Sequence, residues 1–109
     1  MLLNAFPLQV VADGSVLSVR AASHDEARAA LAAGSAVGHA DTAAVLAALL
    51  GVPVPVARVT LPTTTVGDVV VAQYSGPRLP EGATTLPAGA RLEFRRVTWR
   101  PAVPGDDVP

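Results

Sequence analysis

The stretch Ser23–Gly51, "SHDEARAALAAGSAVGHADTAAVLAALLG", constrains the fold most. It holds two helical segments, each closed by a glycine, with only the apolar step Ser35–His39 between them. In the first segment, Ser23 followed by Glu26 forms a capping box, and Asp25 suits the positive first turn. Gly34 ends that helix, and Ala27, Ala30 and Leu31 share one face. "SAV" reads as a short strand. In the second segment Asp41 or Thr42 can cap. Val45, Leu46, Leu49 and Leu50 form an apolar stripe, Gly51 stops the helix, and Pro53 and Pro55 block any continuation.

Strand patterns surround this unit. "MLLNAF", Met1–Phe6, reads as a short buried strand that Pro7 interrupts, followed by a turn at Ala12–Ser15. "SVLSVRA" alternates with period two. "VARVTL", Val56–Leu61, is a strand candidate. "VVVAQY", Val69–Tyr74, is rich in β-branched residues and reads as a central strand. "RLEFRRVTW" alternates again and closes the fold. Strands alternating with helices through the middle predict an α/β domain. Its expected architecture is a mixed sheet of about five or six strands with helices packed against it. Residues 1–98 are expected to form this single domain. Residues 99–109, with Asp106 and Asp107, read as an acidic, proline-rich tail. Ser75–Ala90 is a long loop with three prolines and three glycines, and long structureless loops in compact domains are often functional.

Composition narrows the function classes. The chain has 109 residues, half of them hydrophobic, which is enough for one core with limited spare stability. A dimer would relieve that limit. Only 4% is aromatic, so Val, Leu and Ala must build the core. With no cysteine, disulfides and thiolate metal sites are excluded. The net charge of −1 argues against a bulk polyanion binder and against DNA as a partner. A local anion site is compatible with it, because residues 1–100 carry eight arginines against seven acids. The apolar runs are too short and interrupted to span a bilayer, so no membrane partner is expected. "MLLNAF" has no basic region and leads straight into patterned sequence, so a cytoplasmic protein without a signal peptide is expected.

Two places carry candidate chemistry. His39 falls where a strand stops and a helix begins. Backbone N–H groups are unpaired there and the helix dipole is positive, which attracts phosphate. The positive pole disfavours an imidazolium until an anion arrives. A bound phosphodiester would then favour the protonated ring and let it serve as a proton donor. The plain alternative is a histidine that fills a cap position. In "GPRLPEG", Arg78 and Glu81 sit three apart in a proline-stiffened turn. The arginine fork suits a phosphate oxygen and the carboxylate can handle a proton or a hydroxyl. The plain alternative here is a solvated surface turn. Asn4 and Gln73 are polar within apolar strands. Their amides must be hydrogen-bonded if buried, as braces or as ligand contacts. His24 reads as inert, and Trp99 as packing or interface. No nucleotide-loop or metal-helix motif is present, and two histidines on separate elements predict no metal centre.

In order and spacing, "LNAF", "SAVGHADTAAVLAALLG", "VPVARVTL" and "VVVAQYSGPRLPEGATTLPAGARLEF" resemble one family over about residues 1–98. These motifs are similar to those of the small viral anti-CRISPR ring nucleases that counter type III CRISPR systems, a family with bacterial and CRISPR-associated homologues. The resemblance implies a homodimer that binds cyclic tetra-adenylate and needs no cofactor or metal. Cleavage would proceed by attack of a ribose 2′-OH, giving linear di-adenylates that end in a 2′,3′-cyclic phosphate. It assigns His39 of the "GH" pair as catalytic, with Gly38 beside the substrate, and carries over Arg78 and Glu81 from the arginine–glutamate turn. Asn4 matches the asparagine of the N-terminal motif, and Gln73 is carried as a further substrate contact. Where many relatives have serine after "NAF", this chain has Pro7. The polar contact would be lost there and only pocket lining remains. Gln9 lies near a polar position of the family. A binder that sequesters the ring uncut, and a structural partner with no nucleotide ligand, are the alternatives to an enzyme.

Overall fold

The computed structural model describes residues 1–103. In chain order the strands are β1 (Leu2–Leu3), β2 (Ser15–Ala21), β3 (Ser35–Ala36), β4 (Gly67–Ser75) and β5 (Arg91–Pro101). The helices are α1 (His24–Ala33) and α2 (Ala40–Leu50), and a single 3-10 turn spans Leu8–Val10. The five strands form one sheet in the order β2-β5-β4-β1-β3. β1 runs parallel to both β3 and β4, whereas β5 is antiparallel to β2 and β4, so the sheet is mixed. The expected α/β class holds, with β4 in the middle of the sheet.

Burial explains β4's position. Val69, Val70, Val71 and Ala72 are all buried, the continuous apolar run of a strand covered on both faces. On one face Val70 and Ala72 join Leu2, Phe94, Ala27 of α1 and Leu46 and Leu50 of α2 in one cluster. On the other, Val69 and Val71 pack with Leu3, Val10, Val97 and Trp99. Both helices cover the first face. The second is covered by Phe6, the 3-10 turn and the coil around Leu61.

Local signals set the helix ends. The Ser23 hydroxyl accepts the Glu26 N–H at 3.1 Å, as the capping box predicts. Gly51 takes a left-handed φ of 70° and donates its N–H to Ala47 O at 2.9 Å. Arg28 ties the helices together, donating from Nε to Leu50 O at 2.7 Å. Glu26 joins α1 to the sheet, accepting from Arg20 at 2.9 Å and Arg96 at 3.0 Å. Arg96 also pairs with Asp68 at 2.9 Å.

Three expectations are corrected. Val56–Leu61 forms no strand; the coil between α2 and β4 makes only isolated parallel bridges, Val37 with Val56 and Val11 with Thr64. Prolines 53, 55 and 62 remove backbone donors around this segment, and Val56 and Val59 stay more than half exposed, so no ladder forms and only Leu61 of the segment packs on the core. The Met1–Phe6 strand shortens to Leu2–Leu3, because from Asn4 onward the chain leaves the ladder towards Pro7. The ordered domain also extends past residue 98. β5 runs to Pro101, and Trp99 is 5% exposed opposite Gly67 and Leu17. The rest of the expected tail, residues 104–109, lies outside the described residues. Among the described residues no helix is long and apolar enough to cross a membrane.

Candidate functional site

The parallel β1–β3 pair brings the ends of two strands together beneath the start of α2. Leu3 pairs with Ala36, and just beyond them Asn4 Oδ1 accepts the Gly38 N–H at 3.3 Å. The asparagine is thus a brace, and it also lines two adjoining clefts. From the other side Arg58 Nε donates to Gly38 O at 3.0 Å. Gly38 is therefore held on both its peptide groups, and the next residue, His39, is placed by them.

His39 is the N-cap residue of α2. Its backbone is extended (φ −121°, ψ 130°), and its carbonyl accepts the Ala43 N–H at 2.9 Å. Asp41 and Thr42, expected as caps, are not: both lie inside the helix, and no side chain caps its first turn. The chain enters the helix straight from the β3 end, so the cap falls two residues earlier than the polar pair suggested. The imidazole is exposed at the head of a helix whose first N–H groups point outward.

Three clefts meet around this point. One, of about 460 Å³, runs between Asn4, Phe6, Thr42, Gln73 and Tyr74. A second, of about 530 Å³, lies between Asn4, Gly38, His39 and Arg58. The third, of about 290 Å³, is bounded by His39, Asp41, Thr42, Tyr74 and Arg78. Asn4 is common to the first two, His39 to the last two, and Thr42 and Tyr74 to the first and third. Together they wrap the N-terminus of α2 with the volume of a ligand site.

Arg78 reaches this site through the loop after β4. The Tyr74 hydroxyl donates to Pro77 O and pins the start of the loop. Asp41 Oδ1 accepts the Gly82 N–H at 3.2 Å and pins the far side of the turn. Between the pins, Arg78 lines the His39 cleft, while Glu81 is exposed on the turn and lines none of the three. Gln73 is exposed and lines the first cleft.

Of the expected site residues, Asn4, Gly38, His39, Gln73 and Arg78 thus converge. Pro7 and Gln9 do not line these clefts. Pro7 starts the 3-10 turn, with its carbonyl accepting Val10 N–H at 3.1 Å, and the Gln9 carbonyl accepts from Thr63 Oγ1 at 2.7 Å. Phe6 is the residue of that segment that enters the site. Sequence reasoning missed Arg58, Asp41 and Tyr74. Arg58 is the one basic residue of "VARVTL", and that segment's reading as a strand hid its approach to the helix start. Among the described residues no group of three or more His, Cys, Asp or Glu side chains is arranged to hold a metal ion.

The family model of the STIV B116-like proteins matches residues 1–93, which include every residue of this site. The chain belongs to the STIV B116-like family. Among curated proteins none matches it. The match takes in both helices and β1 to β4 and ends early in β5, so the converging clefts lie wholly within the family domain.

Proposed function

We propose that this STIV B116-like protein is a metal-independent ring nuclease. It binds cyclic tetra-adenylate across a homodimer and cuts it to linear di-adenylates, silencing type III CRISPR signalling. The observation that carries the reading is the exposed His39 imidazole on the wall shared by two clefts, over uncapped helix N–H groups and beside Arg78.

Each part of the reaction has a group suited to it. A 2′-oxygen attacks the adjacent phosphorus, and the bond from phosphorus to the 5′-oxygen breaks. Negative charge on the phosphoryl oxygens is met by Arg78 and by the amides of the helix start. His39 gives its proton to the leaving 5′-oxygen. The 2′-hydroxyl proton passes to a base, for which Glu81 on the same turn as Arg78 is the candidate. The nucleophile belongs to the substrate, so the step needs no metal. The amides of Asn4 and Gln73 suit an adenine edge, which presents one donor and one acceptor side by side, and Phe6 and Tyr74 offer rings for stacking. A four-nucleotide ring can share a two-fold axis with two copies of the chain, which would set one His39 against each of two opposite phosphates. The substrate is an intracellular messenger, so the reading carries a cytoplasmic location.

The test is incubation with rings of three, four and six adenylates in the presence of chelator, with product analysis. Wild type is expected to yield di-adenylate ending in a 2′,3′-cyclic phosphate. His39→Ala should still bind the ring but cut it about 10²- to 10⁴-fold more slowly, the range for loss of a general acid. Intact ring recovered from wild type after long incubation would convert the reading to sequestration. Absence of any ring-induced thermal shift would refute both.

A further inference from the structure

We infer that Asp41 is a positioning residue: by docking the 76–82 turn onto the first turn of α2 it holds Arg78 at the His39 cleft and fixes the neighbouring Glu81 on the same turn. The inference rests on the ring-nuclease reading above.

An aspartate in a first helical turn is usually explained by the dipole or by capping. Capping does not apply here, because His39 is the N-cap and no side chain caps the turn. Nor is Asp41 idle. Its Oδ1 accepts the Gly82 N–H at 3.2 Å, across 41 residues of chain. That N–H is presented by a turn closed from Ala83 N–H to Pro80 O at 3.0 Å, with Gly82 at a left-handed φ of 76°. Glycine is what such a turn requires at its third position. Glu81 is the neighbouring residue of the same turn.

The other end of the turn is fixed by Tyr74, whose hydroxyl bonds Pro77 O from the end of β4. Arg78 and Glu81 therefore lie between one anchor in the sheet and one in the helix. The helix anchor is two residues from His39, so it sets the turn relative to the imidazole itself. Beyond it the loop has no helix or strand until β5 begins at Arg91. Loss of this bond would release the turn from α2 at Gly82 and leave the Tyr74 anchor at its start.

Charge sharpens the argument. Asp41 lines the same cleft as Arg78, and a carboxylate there repels a phosphodiester. What it supplies is a hydrogen-bond acceptor, which an asparagine also supplies without the charge. The acceptor, not the charge, is thus the quantity to test.

The experiment compares wild type, Asp41→Ala and Asp41→Asn in single-turnover and steady-state cleavage of cyclic tetra-adenylate, with amide exchange at Gly82 followed in the ligand-free proteins. Asp41→Ala should lower kcat about 10- to 100-fold, with KM changed far less, as expected when a catalytic group is misplaced by about an ångström. Asp41→Asn should stay within about threefold of wild type in kcat, with KM equal or lower. The Gly82 amide should exchange faster in Asp41→Ala than in the other two. The role is overturned if Asp41→Ala cuts at the wild-type rate, if Asp41→Asn falls as far as Asp41→Ala, or if exchange at Gly82 is the same in all three. Wild-type protein that leaves the ring uncut refutes the ring-nuclease reading and this role with it. Variants indistinguishable from an active wild type refute the role alone.

Discussion

Gly67→Ala isolates one close approach in the sheet. Gly67 starts β4 directly opposite Trp99 of β5, and the indole lies over the glycine. A Cβ built there would sit 1.9 Å from Trp99 Cζ2 and 2.2 Å from two further ring atoms. To restore even a 3.0 Å contact, the ring must withdraw by about 1 Å. That movement has two costs. Overpacking in a buried cluster costs roughly 1–3 kcal/mol. The indole N–H, now 3.2 Å from both Thr64 O and Thr64 Oγ1, would lose its partners for about 1 kcal/mol more. The expected destabilisation is therefore about 2–4 kcal/mol. For a chain of 109 residues each kcal/mol corresponds to about 4 °C, so Tm should fall by roughly 8–16 °C. Urea and thermal denaturation followed by circular dichroism measure the loss in either background, and fluorescence of the sole tryptophan reports the displacement of the ring where Trp99 is present. A Trp99→Leu background makes room for the methyl group, so the same substitution should cost far less there. A loss below about 0.5 kcal/mol, or an equal loss in both backgrounds, would show that the indole does not rest on Gly67.

The remaining predictions concern strain, charge and the site wall. Gly51→Ala places a Cβ in open space but at a left-handed φ of 70°, so it should cost about 1 kcal/mol by urea denaturation, from backbone strain alone. Glu26 is hydrogen-bonded by Arg20 and then Arg96, which hold its carboxyl below the ordinary carboxylate value. Because the folded state binds that proton less readily than the unfolded chain, the contribution is complete above the ordinary value of 4.5 and is lost as pH falls through the folded one. Glu26→Gln should thus be less stable than wild type at neutral pH, and denaturation curves should show the gap closing towards about pH 3. Arg58→Ala removes the donor to Gly38 O and one wall of the His39 cleft. Ring KM should rise by about tenfold, the size of one lost charge-assisted contact, with a shallower salt dependence.

What the sequence determined by itself was everything written locally. Ser23, Gly34 and Gly51 mark helix ends because caps and left-handed turns depend on residues a few positions apart. The unbroken run Val69–Ala72 gave a strand covered on both faces. The proline- and glycine-rich segment after β4 could not join a ladder, and so carries the turn with Arg78. The join between β3 and α2 was legible too, and with it the place of His39 at the head of the helix. The tertiary structure alone decided which strands neighbour one another, and through that the site. Asn4 meets Gly38 across 34 residues, Arg58 reaches the same glycine across 20, and Asp41 holds Gly82 across 41. The reach of Trp99 across to Gly67 is of the same kind, and it carried the sheet past the expected boundary at residue 98. Such contacts depend on sheet order and register, which follow from the packing of both faces at once, and no local pattern of residues encodes them.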